Sequence, residues 1–258
     1  MQAAIMELFD AHRHVCEENP AELLARARAA GVRGVALCGT RPKDWPKVLE
    51  WSRADACVIP CFGVHPWNAG ALREGWVREL EGFLDKIPSS LGEVGLDASG
   101  RGPSLKVQEE VFQAQLKLAR ERGLAAMIHC VRAWGPLQKL LGECAHPRGF
   151  LLHAYSGPVE LVEPLARMGA YFSFAPFQFR HHAGKAPDAA DRFASSLRAA
   201  PSERLLLESD APNPEDPRGS EALAELVESA SRLRGEEAPV LARTLLANAR
   251  RLFGDSFK

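Results

Sequence analysis

SLGEVGLDASGRGPSLKVQEEVFQAQLKLARERGLAAMIHC, residues 90–130, reads as strand, helix, strand. A short apolar run over 90–95 is followed by 104–122, where Val107, Val111, Leu116 and Leu118 fall among lysines and glutamates as on an amphipathic helix. Residues 125–129 are again short and apolar. Strand, helix and strand in this order make the parallel unit of an α/β sheet. The alternation continues in both directions. Upstream lie strand-like runs at 7–10, 32–38 and 56–63, with helical stretches at 20–30, 43–53 and 74–86. Downstream lie runs at 150–153, 170–174 and 205–209, with helical stretches at 136–142, 159–168 and 188–199, and two closing helices at 221–233 and 240–253. Such a barrel takes about 250 residues. Eight alternating units therefore predict an α/β fold, a (β/α)8 TIM barrel, as one domain over residues 1–258. Segments 175–187 and 212–219 are read as irregular loops at the face where barrel enzymes keep their sites.

Composition narrows the class. Hydrophobic residues are 46%, charged residues 25% and the formal net charge is −1, as in an ordinary soluble enzyme. A protein that coats nucleic acid generally would show a basic excess. The first ten residues have neither a basic start nor a long apolar run, so neither a secretory signal nor a membrane span is expected, and no protein partner is indicated. Six cysteines without a CxxC pair read as reduced thiols in a cytoplasmic protein. Cys130 follows His129, but neighbours on a strand face opposite ways, so it is expected to pack rather than react.

Polar residues gather where the strands end. The first run leads into Asp10-Ala-His12-Arg-His14, with the two imidazoles on one face of an extended segment. The fourth carries Glu93, the fifth ends in His129, the sixth in His153, and the eighth in Glu208-Ser209-Asp210. Five strands then place imidazole or carboxylate at one rim, where unpartnered charge is costly. Neutral imidazole and carboxylate suit zinc, manganese and similar ions. One ion is expected to take His12, His14, Glu93 and Asp210, and a second Glu93, His129 and His153, with Glu93 bridging. Two divalent cations against two carboxylates leave the centre about two charges positive, which attracts anions. Metals about 3.5–4 Å apart clamp an in-line phosphoryl displacement and lower the pKa of water toward neutrality. Asp210 is expected to take or orient the proton of that water. Arg132, His65, and Ser156 with Gly157 at the start of the next helix are candidate substrate donors. Asp10 shares the parity of His12 and is expected to orient its ring, while Glu208 is expected to pair inside the barrel. Trp67, Trp134, Tyr155 and Phe177 are candidates to stack bases. His146, His181 and His182 are expected at the surface.

At these residues the sequence resembles the TatD family of metal-dependent deoxyribonucleases, within the amidohydrolase superfamily. The segments that carry the resemblance are FDAHRH (9–14), GVHP (63–66), GEVGLD (92–97), IHCVRA (128–133), LLHAYSG (151–157) and LLLESDAP (205–212), in order along the chain. It implies hydrolysis of DNA phosphodiester bonds, typically exonucleolytic, by a hydroxide activated by two divalent metal ions (zinc, magnesium or manganese). By motif the family's ligands fall on His12, His14, Glu93, His129, His153 and Asp210. A metal-dependent hydrolase of a small ester, amide or lactone is the alternative within the superfamily. The chain departs from the family pattern at Trp67, where histidine is usual, at Ala98, where an aromatic is usual, and in the longer spacing from His129 to Arg132.

Overall fold

Eight parallel strands form one sheet in chain order, in a computed structural model that describes residues 5–143, 148–183, 187–213 and 216–254. They are β1 (Leu8–His14), β2 (Val32–Cys38), β3 (Val58–Phe62), β4 (Ser90–Asp97), β5 (Ala126–Val131), β6 (Phe150–Leu152), β7 (Ala170–Phe174) and β8 (Leu205–Leu207). The chain just past β8 returns to β1: Asp210 N donates to His12 O (3.0 Å) and His14 N to Ala211 O (2.7 Å). Those bonds close the sheet into the expected (β/α)8 barrel.

The outer layer follows from the amphipathic stretches. It comprises α1 (Pro20–Ala29), α2 (Trp45–Ala54), α3 (Trp76–Leu84), α4 (Leu105–Arg122), α5 (Trp134–Gly142), α6 (Val162–Arg167), α7 (Pro176–Ala183), α8 (Pro187–Ala199), α9 (Leu223–Arg234) and α10 (Ala238–Phe253). Helix α1 starts where Asn19 accepts from Ala21 N and Glu22 N, with Pro20 pre-set at the first helical position. Among the described residues no helix is long and apolar enough to cross a membrane.

Strand alternation splits the core in two. Val35, Ile128, Phe150, Leu205 and Leu207 face the helices. Phe9, Ile59, Met127, Leu151, Tyr171 and Leu206 face inward, joined by Leu252 and Phe253 of α10. Moving two residues along several strands from these inward positions reaches the polar rim: Met127 to His129, Leu151 to His153, and Leu206 to Glu208. An apolar plug thus fills one end of the barrel and chemistry occupies the other.

Segment 175–187 departs from the sequence reading, because α7 forms within it. Pro176 suits a first turn, and the buried Gln178 stabilises it: its Oε1 accepts from Ala175 N (2.8 Å) and its Nε2 donates to Tyr155 O (2.9 Å). The helix after β6 also differs. Val159–Leu161 is a 3-10 turn leading into the short α6, so Ser156 and Gly157 lie ahead of the helical segment and do not open it. The readings of Cys144, His146 and the His181 side chain fall outside the described residues. His182 is half-buried, its ring 5.7 Å from that of Phe193. The described cysteines are free thiols, and Cys130 packs among the outward-facing apolar residues.

Candidate metal centre

The site starts with an irregularity in β1. Strict alternation after inward-facing Phe9 and Ala11 would send Arg13 inward and His12 outward. A register shift between Asp10 and Arg13 reverses this. His12 and His14 then face the interior, while Arg13 turns outward and its Nη1 donates to Ser220 Oγ (3.0 Å). Asp10 goes a different way from the one its parity suggested. Among the described residues it contacts no imidazole, and instead accepts from Ser209 N (2.8 Å), Ser209 Oγ (2.6 Å) and Ser220 Oγ (2.5 Å). Its role is to tie β1 to the segment after β8.

Glu93 occupies the middle of the rim. A second register shift, between Leu91 and Val94, lets its side chain point inward. Two glycines make the room: a Cβ on Gly63 would lie 2.7 Å from the Gly92 carbonyl carbon, and one on Gly95 would lie 2.0 Å from His129 O. Gly95 also has φ +137°, a conformation that other residues rarely adopt.

The two Glu93 oxygens face different partners. Oε2 lies 3.4 Å from His14 Nε2 and 3.6 Å from His12 Nε2. Oε1 lies 2.8 Å from His153 Nε2, 3.1 Å from His129 Nδ1 and 3.4 Å from His65 Nε2. Asp210 joins the first group, its Oδ1 3.6 Å from His14 Nε2. Ligand atoms of His12, Glu93 and His153 fall within 4.8 Å of one another, as do those of His12, His14 and Asp210. The His12 and His153 rings stack at 4.1 Å. The six residues expected at the rim therefore meet around Glu93.

Each of four imidazoles is held by its other nitrogen. His14 Nδ1 faces Cys38 O (3.2 Å), His129 Nε2 faces Asp97 Oδ2 (3.2 Å), and His153 Nδ1 faces Glu208 Oε1 (3.3 Å). Carbonyl and carboxylate only accept, so these nitrogens carry the hydrogen and the opposite ones present lone pairs. His12 Nδ1 contacts the Cys38 thiol (3.4 Å), which can donate or accept and so does not by itself fix the tautomer of that ring. The result is a pair of lone pairs aimed at each other, His129 Nδ1 to His153 Nε2 at 3.1 Å, and the His14 Nε2 lone pair lies 3.2 Å from His12 Nε2. Lone pairs at that separation repel unless a cation or protons lie between them. The donor set thus fits divalent metal with supporting acceptors behind the imidazoles.

The electrostatics agree. Burial alone would raise the Glu93 carboxyl, but His65, His153, His12 and His129 outweigh it and hold it well below the usual range. Burial would lower His153, yet Glu93 and Glu208 push it well above its ordinary value; His129 and His14 are raised by the same balance of burial against carboxylates. Where no metal binds, protons take the place of cations.

His65 differs from the other imidazoles. Its Nδ1 accepts from Trp67 N (3.2 Å), so Nε2 carries the hydrogen and points it at Glu93 Oε1. Burial pushes its pKa down to about 3. It is a neutral donor to Glu93, so in this structure the Nε2–H expected to serve the substrate faces the central carboxylate. Arg132, Ser156 and Gly157 are brought together, but in an adjoining cavity of about 660 Å³ shared with Trp134, Gln178 and Arg192, which no metal-facing residue lines. Arg132 has φ 54°, Ala154 φ 42° and Asp210 φ 49°. These non-glycine left-handed residues all follow β5, β6 or β8, so backbone strain concentrates at this rim. The sequence reading assigned no role to Cys38 or Asp97. The parity of Asp97 with Glu93 on one strand was the available signal.

Comparison with known proteins gives a consistent relationship. The profile of the family described as TatD related DNase matches residues 9–254. The 3'-5' ssDNA/RNA exonuclease TatD of Klebsiella pneumoniae is 31% identical over 249 residues, covering 90% of this chain and 91% of that protein. The uncharacterized metal-dependent hydrolase YabD of Bacillus subtilis is 28% identical over 264 residues, covering 95% and 98%. Among solved structures, YJJV, a TatD homologue from Escherichia coli K12, superposes with a TM-score of 0.86 at 24% identity, covering 96% of this chain and 98% of that one.

Proposed function

The chain belongs to the TatD-related DNase family, and from that premise we propose that it is a metal-dependent exonuclease that removes nucleotides from the 3′ end of single-stranded DNA or RNA. Residues 1–258 act as a single catalytic unit in this reading. The observation that carries it is the division of Glu93: one oxygen toward His12 and His14, the other toward His129 and His153.

Two divalent ions would be held by His12, His14, Glu93 and Asp210 on one side and by Glu93, His129 and His153 on the other. When bound, they supply a low-pKa water as nucleophile and neutralise charge on the phosphoryl oxygens. The protein does the rest. Glu93, 2% exposed, holds the two imidazole groups in register. Asp210 is the more open carboxylate, its side chain 24% exposed. Burial would raise its pKa, but His14, His153 and His12 keep it low, so Oδ1 is ionised and placed to accept a proton from the attacking water. The neutral Nε2–H of His65 fixes Glu93 without competing as a ligand. Arg132 and the backbone of Ser156 and Gly157 serve the polynucleotide beyond the reacting phosphate.

The test uses chelator-stripped protein with 5′-labelled single-stranded DNA and RNA, a panel of small esters, and magnesium, manganese or zinc added singly. Stepwise shortening from the 3′ end that requires metal is the expected result. Glu93→Gln should return the rate to the metal-free baseline. Shortening from the 5′ end, or ester turnover with intact nucleic acid, would overturn the reading.

A further inference from the structure

Of the aromatics near the rim, Tyr155 is buried and its hydroxyl donates to Pro158 O (2.7 Å). Trp134 is half-buried against it, ring to ring at 5.0 Å, and Phe177 is half-buried. Trp67 is 42% exposed, and it borders the metal-facing groups. Its ring lies edge-on to His65 at 4.8 Å and 6.4 Å from His129.

An exposed indole is ordinarily loose, but this one is fixed. Its Nε1–H donates to Asp97 Oδ2 (2.6 Å), the oxygen that also faces His129 Nε2. Its backbone N–H is capped by His65. The neighbouring loop rises against it: a Cβ on Gly102 would come within 3.1 Å of Trp67 Cα, so glycine permits that approach. Arg101, on the same loop, places its guanidinium carbon 5.3 Å from the indole centroid. A flat cation already covers part of an open π-face whose orientation is set in advance.

Resting on the exonuclease reading above, we propose that Trp67 and Arg101 form a nucleobase subsite, in which the base next to the reacting phosphate stacks on the indole and Arg101 moves to the adjoining backbone phosphate. A preset aromatic face loses little entropy on stacking, and stacking tolerates any base. Because the indole N–H shares Asp97 with His129, Trp67 has a second role as a positioning residue for that imidazole. The two roles separate by substitution. Trp67→Phe keeps the face and loses the N–H; Trp67→Ala loses both.

The experiment measures binding of single-stranded DNA to chelator-stripped protein, using strands with one abasic residue placed in turn at each position from the 3′ end. KM and kcat of the metal-loaded enzyme are measured on the same strands. Trp67→Ala should weaken binding and raise KM roughly tenfold. That penalty should vanish for strands abasic at one particular position. Trp67→Phe should bind strands nearly as the parent does while losing metal affinity as Trp67→Ala does. Arg101→Ala should flatten the salt dependence of binding by about one phosphate contact. Equal affinity of Trp67→Ala and parent, or a penalty unchanged at every abasic position, overturns the subsite. If the parent neither binds nor cleaves nucleic acid, the exonuclease reading fails first. If it cleaves and the abasic scan is flat, only the subsite fails.

Discussion

Glu208 shows how one buried side chain behind an imidazole sets the chemistry of the rim. It is fully buried, and both oxygens are committed. Oε1 accepts from Ala154 N (2.8 Å) and faces His153 Nδ1 (3.3 Å), while Oε2 accepts from Ser173 Oγ. The His153 ring therefore has one orientation and one tautomer. Glu208→Gln keeps the size but offers a weaker, half-donating partner. Metal affinity should fall about 10–100-fold, measured by competition with a chromogenic chelator, with the circular dichroism spectrum unchanged. Unaltered affinity would show that His153 does not need this acceptor. Glu208 was legible as an inward-facing residue because β8 is regular and its parity runs from Leu206. Asp10 was not legible in the same way. Its parity with His12 is broken by an irregularity that no residue type announces, so an orienting carboxylate was expected where the fold has a seam between β1 and the chain after β8.

At the scale of elements, α4 links packing to the rim. Its apolar pattern predicted the helix, but the pattern alone does not explain Gln108 and Gln115, which are buried on its inner side. Gln108 accepts from Asp97 N (2.7 Å) and donates to Asp97 O (2.9 Å); Gln115 does the same for Val64 N (2.8 Å) and Val64 O (3.2 Å). These amides complete the backbone bonding where β4 ends and where the chain leaves β3. The two segments carry Asp97 and His65. Gln108→Leu leaves a buried amide and carbonyl unsatisfied, which costs about 1–3 kcal/mol. It should lower the denaturation midpoint and also weaken metal uptake, because Asp97 supports His129. Loss of stability with normal metal affinity would confine Gln108 to a structural part. Sequence reading fares worst in elements of this kind. A buried polar side chain looks like a surface one until its backbone partner is known, and α7 was missed because one of the two bonds that hold Gln178 reaches Tyr155 O, outside its own segment.

Across the whole molecule, stability and chemistry lie at opposite ends of the barrel, and this division yields a test. Phe253 ends α10 and is 2% exposed. Its ring sits 5.0 Å from Phe9, among the inward-facing Ile59, Met127, Leu151 and Leu206. With Leu252 it also borders Pro88 and Ala125, at the entry to β4 and β5. Glu93 and the imidazoles gather toward the far ends of those strands. Phe253→Ala removes a large ring from a packed apolar plug, at a cost of about 3–5 kcal/mol. For a chain of this length the melting temperature should fall on the order of 10 °C. Below the new transition, kcat, KM and metal affinity should match those of the parent, since the rim ligands are fixed by their own acceptors and by strand ends that the substitution does not touch. A parallel loss of metal affinity at a temperature where the variant is folded would mean that the plug sets the spacing of the rim. The two ends would then be one cooperative unit.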